Sequence, residues 1–247
     1  GRNSLHEIIS RTAKEIFIPL TVGGGIRNLE DISDVLRAGA DKVSINTAAH
    51  EKPNLITQAS RMFGKSTIVV AIEAIQQPSS IYHAFTDNGR NRTDREVISW
   101  AKEAEDLGAG EILLTSVDRE GTGDGLDMDL IRQVSTAIKI PLVVHGGIGK
   151  FEHILDLAEE ISVSGISIAS MLHYNYLKTN REIQEYGDEG NIEFLKSKRL
   201  YSKINPIPLD ELKKKLTCYD VIVLLILRIL FNKSSINTTA ILQTSYY

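Results

Sequence analysis

The sequence lacks several patterns that would assign it at once to a class of protein. It contains a single cysteine, Cys218, in 247 residues, which excludes an intramolecular disulfide and any CxxC metal or redox motif. No HExxH or HxH spacing accompanies its six histidines, so we expect neither a metal nor another cofactor. The single cysteine fits a reducing compartment, and the cytoplasm is therefore the expected location.

An excess of basic charge and a membrane-spanning segment are also lacking. The net charge is −4, and Lys and Arg are scattered among Asp and Glu, so the basic stripe that nucleic acids require is absent. The apolar run 221–231 is too short to span a bilayer and is interrupted by Arg228. We therefore expect a soluble protein that binds neither nucleic acid nor membranes, with enough apolar residues for a substantial core.

The sequence does contain a regular alternation of helix and strand patterns. Apolar residues at helical spacing in 5–16 precede the strand-like run IPLTV, and five further helix–strand pairs follow. The further predicted helices are 28–38, 53–62, 94–107, 127–137 and 150–160, and the strands after them are KVSINTA, STIVVAIEA, EILLTSV, IPLVV and GISIASM. Nearly continuous apolar strands joined by helices are typical of a parallel sheet, either a barrel or a doubly wound sheet.

An internal repeat favours the barrel. The segment 19–48 is echoed by 141–171, and each copy reads strand, Gly-Gly-Ile, helix, strand. A duplicated half of four βα units explains a repeat of this length, whereas an open sheet does not. We predict a (β/α)₈ TIM barrel in which 1–174 supplies strands three to eight, and we expect strands one and two to lie upstream of Gly1.

The C-terminal quarter departs from the alternation. The stretch 175–208 is polar and carries several Gly and Pro residues, so we interpret it as an insertion. A short amphipathic pattern at 209–216 predicts the closing helix. For 217–247 we expect an irregular tail of unknown role.

Two glycine-rich loops each follow a strand and precede a helix, and small polar residues follow each of them one unit later. The loops contain Gly24 and Gly25, and Gly146 and Gly147; the later residues are Asn46, Thr47, Ala169 and Ser170. Bare backbone N–H groups, helix N-termini and hydroxyls all bind anions. One such loop could be no more than a tight turn. Two symmetric copies predict a ligand with a phosphate at each end, lying across the mouth of the barrel.

Charged and polar residues mark both ends of the predicted strands. Glu73 ends a buried strand, where barrel enzymes keep catalytic groups, although a solvated glutamate is the alternative. After the strand that contains Thr115, residues 118–121 could bind sugar hydroxyls or form an ordinary Asx turn. His145 is predicted to be a polar wall residue. The residues at strand starts, where charge is usually only solvated, are Asp41, Lys42 and Glu111.

Over roughly 5–173 the chain closely resembles the cyclase subunit of imidazole glycerol phosphate synthase. The resemblance is carried by five segments: IPLTVGGGI, AGADKVSINTAA, GAGEILLTSVDREGTG, the strand-eight ASM segment, and the family's VVVAI, which reads IVVAI in this chain. It implies an ammonia-dependent lyase and cyclase of histidine biosynthesis, which acts on a bisphosphorylated ribulosyl aminoimidazole carboxamide nucleotide. A glutaminase (HisH-type) partner would supply the ammonia. The related isomerase shares the barrel and the phosphate loops but not SINTAA or EILLTSVDREGT in this form.

The resemblance also implies roles for individual residues. One phosphate would be held by Gly25, Asn46 and Thr47, and the other by Gly121, Gly147, Ala169 and Ser170. Lys42 and Glu111 would form a charged gate at the bottom of the barrel. The ammonia route beyond this gate would pass Thr21 and Ser44, and Asp41 would face the glutaminase. From their place at the strand ends, rather than from the resemblance, we expect the substrate contacts to be Thr115, Asp118, Glu120 and His145.

Three positions depart from the family pattern. The family uses two aspartates as acid and base, one on the first strand and one where this chain has Glu73. A lysine two residues further on is Ile75 here, and a serine before the second Gly pair is His145. With one aspartate expected upstream, the chain alone is expected to be inactive. A paralogue in sugar amidation, a phosphosugar isomerase and a non-catalytic phosphate-binding subunit stay open as alternatives.

Overall fold

A computed structural model of the chain describes residues 2–179, 203–217, 224–232 and 235–243. The helices are α1 Arg2–Glu15, α2 Leu29–Arg37, α3 Thr47–Glu51, α4 Asn54–Phe63, α5 Val97–Leu107, α6 Met128–Ala137, α7 Glu152–Glu160, α8 Ser170–Thr179 and α9 Leu209–Thr217. The strands are β1 Leu20–Gly23, β2 Lys42–Ile45, β3 Ile68–Gln76, β4 Tyr82–Thr86, β5 Asn91–Glu96, β6 Glu111–Ser116, β7 Leu142–His145, β8 Gly165–Ile168, β9 Leu224–Asn232 and β10 Ser235–Gln243. Within these ranges no helix is both long enough and apolar enough to cross a membrane.

Six strands confirm the prediction of a TIM-type barrel. β1, β2, β3, β6, β7 and β8 pair in parallel, each with the next, and correspond to the predicted strands three to eight. The apolar faces of the helices pack against the outside of this sheet, with Ile32 and Trp100 fully buried there. A separate small cluster of alternate strand residues fills the inside: Val69, Ala71, Leu113 and Val143. These four residues define the inner face of the barrel.

A β-hairpin after β3 corrects the predicted helix 94–107. β4 pairs antiparallel with β3, and β5 pairs antiparallel with β4. The helix begins only at Val97, because the Glu96 carboxylate accepts hydrogen bonds from the N–H groups of Ile98 and Ser99 and so caps α5. Residues 91–96 are mostly polar and largely exposed, so no apolar alternation distinguished this strand from the start of a helix.

The C-terminal residues correct the prediction of an irregular tail at 217–247. β9 pairs in parallel with β1, β10 pairs antiparallel with β8, and the two strands pair with each other. Because β2 also pairs with β3, this C-terminal hairpin closes an eight-stranded ring between β1 and β8. Unpaired edges of a sheet readily accept further strands, and six βα units leave two such edges here.

The interpretation of 175–208 as an insertion is tested only at its ends. α8 continues through its first residues to Thr179, and 180–202 lie outside the described residues. Residues 204–208 lead without regular structure into α9, the predicted closing helix, whose Leu212 and Leu216 are buried in the core. The helix runs one residue further than predicted.

Candidate functional site

Four polar residues form a row on the inner face of the barrel at the carboxyl ends of its strands. Glu73 is the register partner of Thr115, Thr115 of His145, and His145 of Ser167. They continue the alternation of the inner cluster, since Ala71 pairs with Leu113 and Leu113 with Val143. The barrel therefore places the predicted catalytic and substrate-contacting side chains around one opening, which is where enzymes of this fold have their active sites.

Glu73 is partly buried and hydrogen-bonded to a hairpin turn. Its Oε2 accepts a hydrogen bond of 2.7 Å from the backbone N–H of Gly89, in the turn between β4 and β5. Hydrogen bonds to a carboxylate are among the stronger ones in proteins because the acceptor is charged. The structure thus places Glu73 three residues before the end of β3, which continues to Gln76, and fixes one of its oxygen atoms.

His145 and the loop 117–125 lie on the same side of the opening. His145 Nδ1 is 3.1 Å from the carbonyl oxygen of Ser167, and because a carbonyl only accepts, Nδ1 carries the proton. His145 Nε2 lies 3.5 Å from Oε1 of Glu120, whose side chain is half exposed. Asp118 instead accepts a hydrogen bond from the N–H of Gln76 and so ties its loop to the end of β3. Substrate contact by these residues stays a prediction.

The first glycine loop presents open backbone at the mouth. Gly24 and Gly25 have φ angles of 97° and 71°, and a Cβ added to Gly25 would meet nothing within 4 Å. Thr47, exposed, begins α3, and Asn46 Nδ2 donates to the carbonyl of Phe85 at 3.3 Å. Among the described residues, Asn46 Oδ1 is buried without a hydrogen-bond partner. The predicted residues of the first phosphate site thus surround an accessible loop.

The second glycine loop is packed more tightly than the first. Gly146 and Gly147 are both buried. A Cβ on Gly147 would overlap the carbonyl oxygen of Gly125. The Gly125 N–H donates a hydrogen bond of 2.8 Å to the Gly147 carbonyl. Gly147 therefore lacks a side chain because two loops touch there. Gly121 is exposed, and an added Cβ would meet nothing. Ala169 and Ser170 lie at the start of α8, partly exposed.

The predicted gate residues meet at the opposite end of the barrel. Lys42 Nζ lies 2.6 Å from Glu111 Oε2, and 24% and 6% of the two side chains are exposed. Both residues belong to the inner face. Glu111 is the register partner of Val69, which lies on that face, and so is Ser44. Lys42 lies two positions before Ser44 on β2, and alternate residues of a strand share a face. A carboxylate this buried requires its cation. Lys42 and Glu111 are therefore an exception to the rule that charge at strand starts is only solvated.

The other predicted residues of the ammonia route and the partner surface differ in exposure. Thr21 and Ser44 are buried, and Thr21 is the register partner of Lys42. Asp41 is exposed, and its carboxylate accepts a hydrogen bond from the N–H of Leu20 at 2.7 Å. The structure therefore gives Asp41 a local role at the start of β1. A role of Asp41 toward a partner stays a prediction.

His50, on the same short helix α3 as Thr47, is a half-buried residue with both ring nitrogens inaccessible, and the sequence did not single it out. Its ring lies 4.6 Å from that of Trp100, and within the described chain neither of its nitrogens has a hydrogen-bond partner. Burial, and secondly the charge of Arg95, lower the pKa of His50 from 6.5 to about 4. The folded protein therefore binds the His50 proton less readily than the unfolded chain does.

We expect this pKa difference to make stability depend on pH. His50 is neutral above pH 6.5 in both states, and as the pH falls toward 4 only the unfolded chain takes up its proton. The free energy of unfolding should fall by about 2 to 3 kcal/mol over that interval, after allowance for partial solvent screening. Urea unfolding at several pH values measures this, with His50→Phe as the comparison. Parallel curves for the two proteins would contradict the assignment.

Two further features of the site were missed from the sequence. Ser167 follows the alternation along β8 and could have been found from it. Asp127 is the second feature, because its carboxylate accepts hydrogen bonds from the Tyr82 and Ser116 hydroxyls and caps α6. Burial and this carboxylate raise the pKa of Tyr82. Within the described ranges, no group of three His, Cys, Asp or Glu residues could hold a metal ion.

Comparison with known proteins assigns the family. Residues 1–178 match the family described as "Histidine biosynthesis protein". Relatives named "Imidazole glycerol phosphate synthase subunit HisF" include that of Legionella pneumophila, 51% identical over 152 residues, which are 62% of this chain and 72% of the relative. The Geobacillus thermodenitrificans subunit is 47% identical, over 70% of this chain and 69% of the relative. That of Gluconacetobacter diazotrophicus is 42% identical, over 77% and 73%. The chain therefore belongs to the histidine biosynthesis protein family and is a HisF-like subunit within it.

Proposed function

We propose that the chain performs the ammonia-dependent lyase and cyclase step that forms imidazole glycerol phosphate, with Glu73 as general acid or base. The observation that carries this proposal is the position of the Glu73 carboxylate on the inner face, at the opening where both glycine loops end. A carboxylate there can exchange protons with a substrate whose phosphates lie at the two loops. The names of the three relatives support a synthase subunit over the related isomerase.

The geometry supports a division of labour within the site. The open backbone at Gly25 and Gly121 and the hydroxyls of Thr47 and Ser170 would bind the terminal phosphates and orient the substrate. Glu73 would move protons at the reacting atoms between them. His145 lies in the same row, with its Nδ1–H donating to the Ser167 carbonyl, and would present Nε2 to the substrate as a hydrogen-bond acceptor.

We further propose that ammonia enters at the Lys42 end from a glutaminase partner, in the cytoplasm. The buried ion pair lies on the inner face, where it can control entry to the barrel. Phe17 supports a docking surface at this end, because it precedes β1 and 99% of it is exposed. Fully exposed aromatic side chains are typical anchors of protein interfaces.

The two phosphate sites can be tested separately. Soaking crystals with phosphate should place one anion near Gly25 and Thr47 and another near Gly121 and Ser170. Thr47→Ala and Ser170→Ala each remove one donor and should weaken the corresponding site about two- to tenfold. Each variant serves as the control for the other, because only its own site should lose occupancy. Anions found only elsewhere would refute both sites.

The gate predicts different effects on two sources of ammonia. In a barrel completed with the first two strands of a HisF relative in place of residues 218–247, and with a HisH-type glutaminase bound, Lys42→Ala should change glutamine-dependent turnover about tenfold more than turnover with free ammonia, a difference of about 1.4 kcal/mol. Lys215→Ala removes an exposed lysine ion pair on α9 and should change neither rate. Equal loss in both assays would place Lys42 outside the ammonia route.

The stability of the Lys42 variant needs its own control. Lys42→Ala leaves Glu111 buried without its cation, which typically costs about 3 to 5 kcal/mol. The double variant Lys42→Ala/Glu111→Ala removes both charges and should recover much of that stability while keeping the gate defective. This comparison separates a general loss of folding from a specific loss of ammonia delivery.

The sugar-amidation paralogue is the second candidate, because Glu73, Ile75 and His145 replace the family's residues at the mouth. A paralogue should accept ammonia from its partner yet reject the bisphosphorylated nucleotide. Competition binding with this nucleotide and with other phosphorylated sugars distinguishes the two functions. Preference for the nucleotide supports the histidine pathway.

A further inference from the structure

The turn between β4 and β5 has an unusual backbone conformation, in which one N–H group faces Glu73. Three successive residues have positive φ angles, Asp87 at 54°, Asn88 at 59° and Gly89 at 75°. Asp and Asn are among the few residues other than glycine that tolerate this region. The turn closes with a hydrogen bond of 3.1 Å from the Arg90 N–H to the Thr86 carbonyl. In this conformation the N–H of Gly89 donates to Glu73 Oε2.

The hairpin that carries this turn is attached to the barrel at several points. Phe85 in β4 is the register partner of Glu73, and its carbonyl accepts the hydrogen bond from Asn46 at the first phosphate loop. At the other end of β4, the Tyr82 hydroxyl donates to Asp127 at 2.9 Å. The turn also packs on the neighbouring loop, because a Cβ on Gly89 would lie 2.9 Å from Cγ1 of Val117.

We propose that Gly89 is a positioning residue for the reaction, whose backbone N–H holds the Glu73 carboxylate in its working orientation. This inference rests on the proposed function of Glu73. A glutamate side chain has one more rotatable bond than an aspartate and loses more rotamer freedom when it is ordered. A charge-assisted hydrogen bond to a fixed turn offsets that loss. Orientation matters, since a displacement of about 1 Å can cost about a hundredfold in rate.

A double-mutant cycle tests the proposal in the chain itself. Calorimetry measures the affinity for imidazole glycerol phosphate in the wild type, Glu73→Ala, Gly89→Ala and the double variant, because alanine removes the acceptor of the Gly89 hydrogen bond. Gly89→Ala should weaken binding about tenfold when Glu73 is present and less than about twofold in the Glu73→Ala background. An equal loss in both backgrounds would show a merely structural role and overturn the proposal.

The same cycle separates this proposal from the proposed function. If Glu73→Ala binds imidazole glycerol phosphate as tightly as the wild type, Glu73 makes no contact with the bound product, so its proposed role at the reacting atoms fails and the positioning role fails with it. If Glu73→Ala weakens binding but Gly89→Ala does not, only the positioning role is wrong.

Two further measurements guard against misfolding of the Gly89 variant. Val117→Ala removes the methyl groups that the new Cβ would meet, so Gly89→Ala/Val117→Ala should recover part of the lost affinity. If no affinity is recovered, the contact with Val117 is not what moves the turn away from Glu73, and the proposal loses this support. Amide hydrogen exchange reports the bond directly. In Glu73→Ala the Gly89 amide should exchange about tenfold faster while the Arg90 amide stays protected. An unchanged Gly89 rate would overturn the proposal.

Discussion

Replacing Glu73 with Gln is expected to lower ammonia-dependent cyclase turnover about a hundredfold, because the amide keeps the shape of the side chain but transfers no proton. Glu73→Asp keeps the acid and shortens the side chain by one methylene, which withdraws the carboxylate from the Gly89 N–H by about 1 Å. We therefore expect the Asp variant to lose about tenfold, less than the Gln variant. Steady-state rates with saturating ammonia and no glutaminase measure both effects.

The design of this assay follows from the family resemblance. The resemblance places the second catalytic carboxylate on the first barrel strand. The variants are therefore compared in a chain that ends at Thr217 and is joined at Gly1 to the first two strands of a HisF relative, so that the added strands take the place of the hairpin β9–β10. Glu103→Gln, on the outer surface of α5, is the matched control and should not change turnover. If neither Glu73 variant changes turnover, Glu73 is a bystander. A faster Asp variant would instead show that the Gly89 bond holds Glu73 away from the family's geometry.

The sequence predicted the βα framework because local patterns specify it. Continuous apolar strands such as 68–72 and helices with one apolar face can be recognised within a single window, and the repeat of 19–48 at 141–171 gave the barrel. Strand ends could be located in the same way. Strand ends alone therefore predict that Glu73 and the two glycine loops lie at the mouth of the barrel.

Other features depend on contacts between distant parts of the chain, which local patterns do not contain. Lys42 and Glu111 are 69 residues apart, and only the register of the strands between them brings their charges to 2.6 Å. The bond from Gly89 to Glu73 uses a backbone N–H, a donor that every residue except proline has. A weaker signal was nevertheless available, because Asp-Asn-Gly at 87–89 is a sequence typical of hairpin turns.

The C-terminal hairpin gave no such signal. The run 221–231 lacks the alternation of a half-buried strand, and its partners in β1 lie about two hundred residues earlier in the chain. Only the finished ring shows why the hairpin forms there. The six βα units leave two edge strands, β1 and β8, and each pairs with one strand of the hairpin: β1 with β9, and β8 with β10.

Truncation after Thr217 is therefore expected to open the barrel. Four residues of β1, 20–23, and four of β8, 165–168, would lose their register partners in the hairpin. We expect the free energy of unfolding to fall by about 3 kcal/mol or more, a large part of the ~5 to 15 kcal/mol that stabilises a typical domain. Exposed edges also pair between molecules, so the truncated chain should self-associate.

Three measurements test this effect of the hairpin. Denaturant unfolding gives the stability, sedimentation velocity gives the association state, and hydrogen exchange should show lost amide protection at 20–23 and 165–168, with β6 between them much less affected. Truncation after Gln243 removes only the last four residues and is the matched control, because it leaves both strands of the hairpin in place. If truncation after Thr217 leaves amide protection in β1 and β8 unchanged, the hairpin does not close the barrel in solution. In that case the two edges must be protected by another part of the chain or by a second molecule, which the sedimentation data would distinguish.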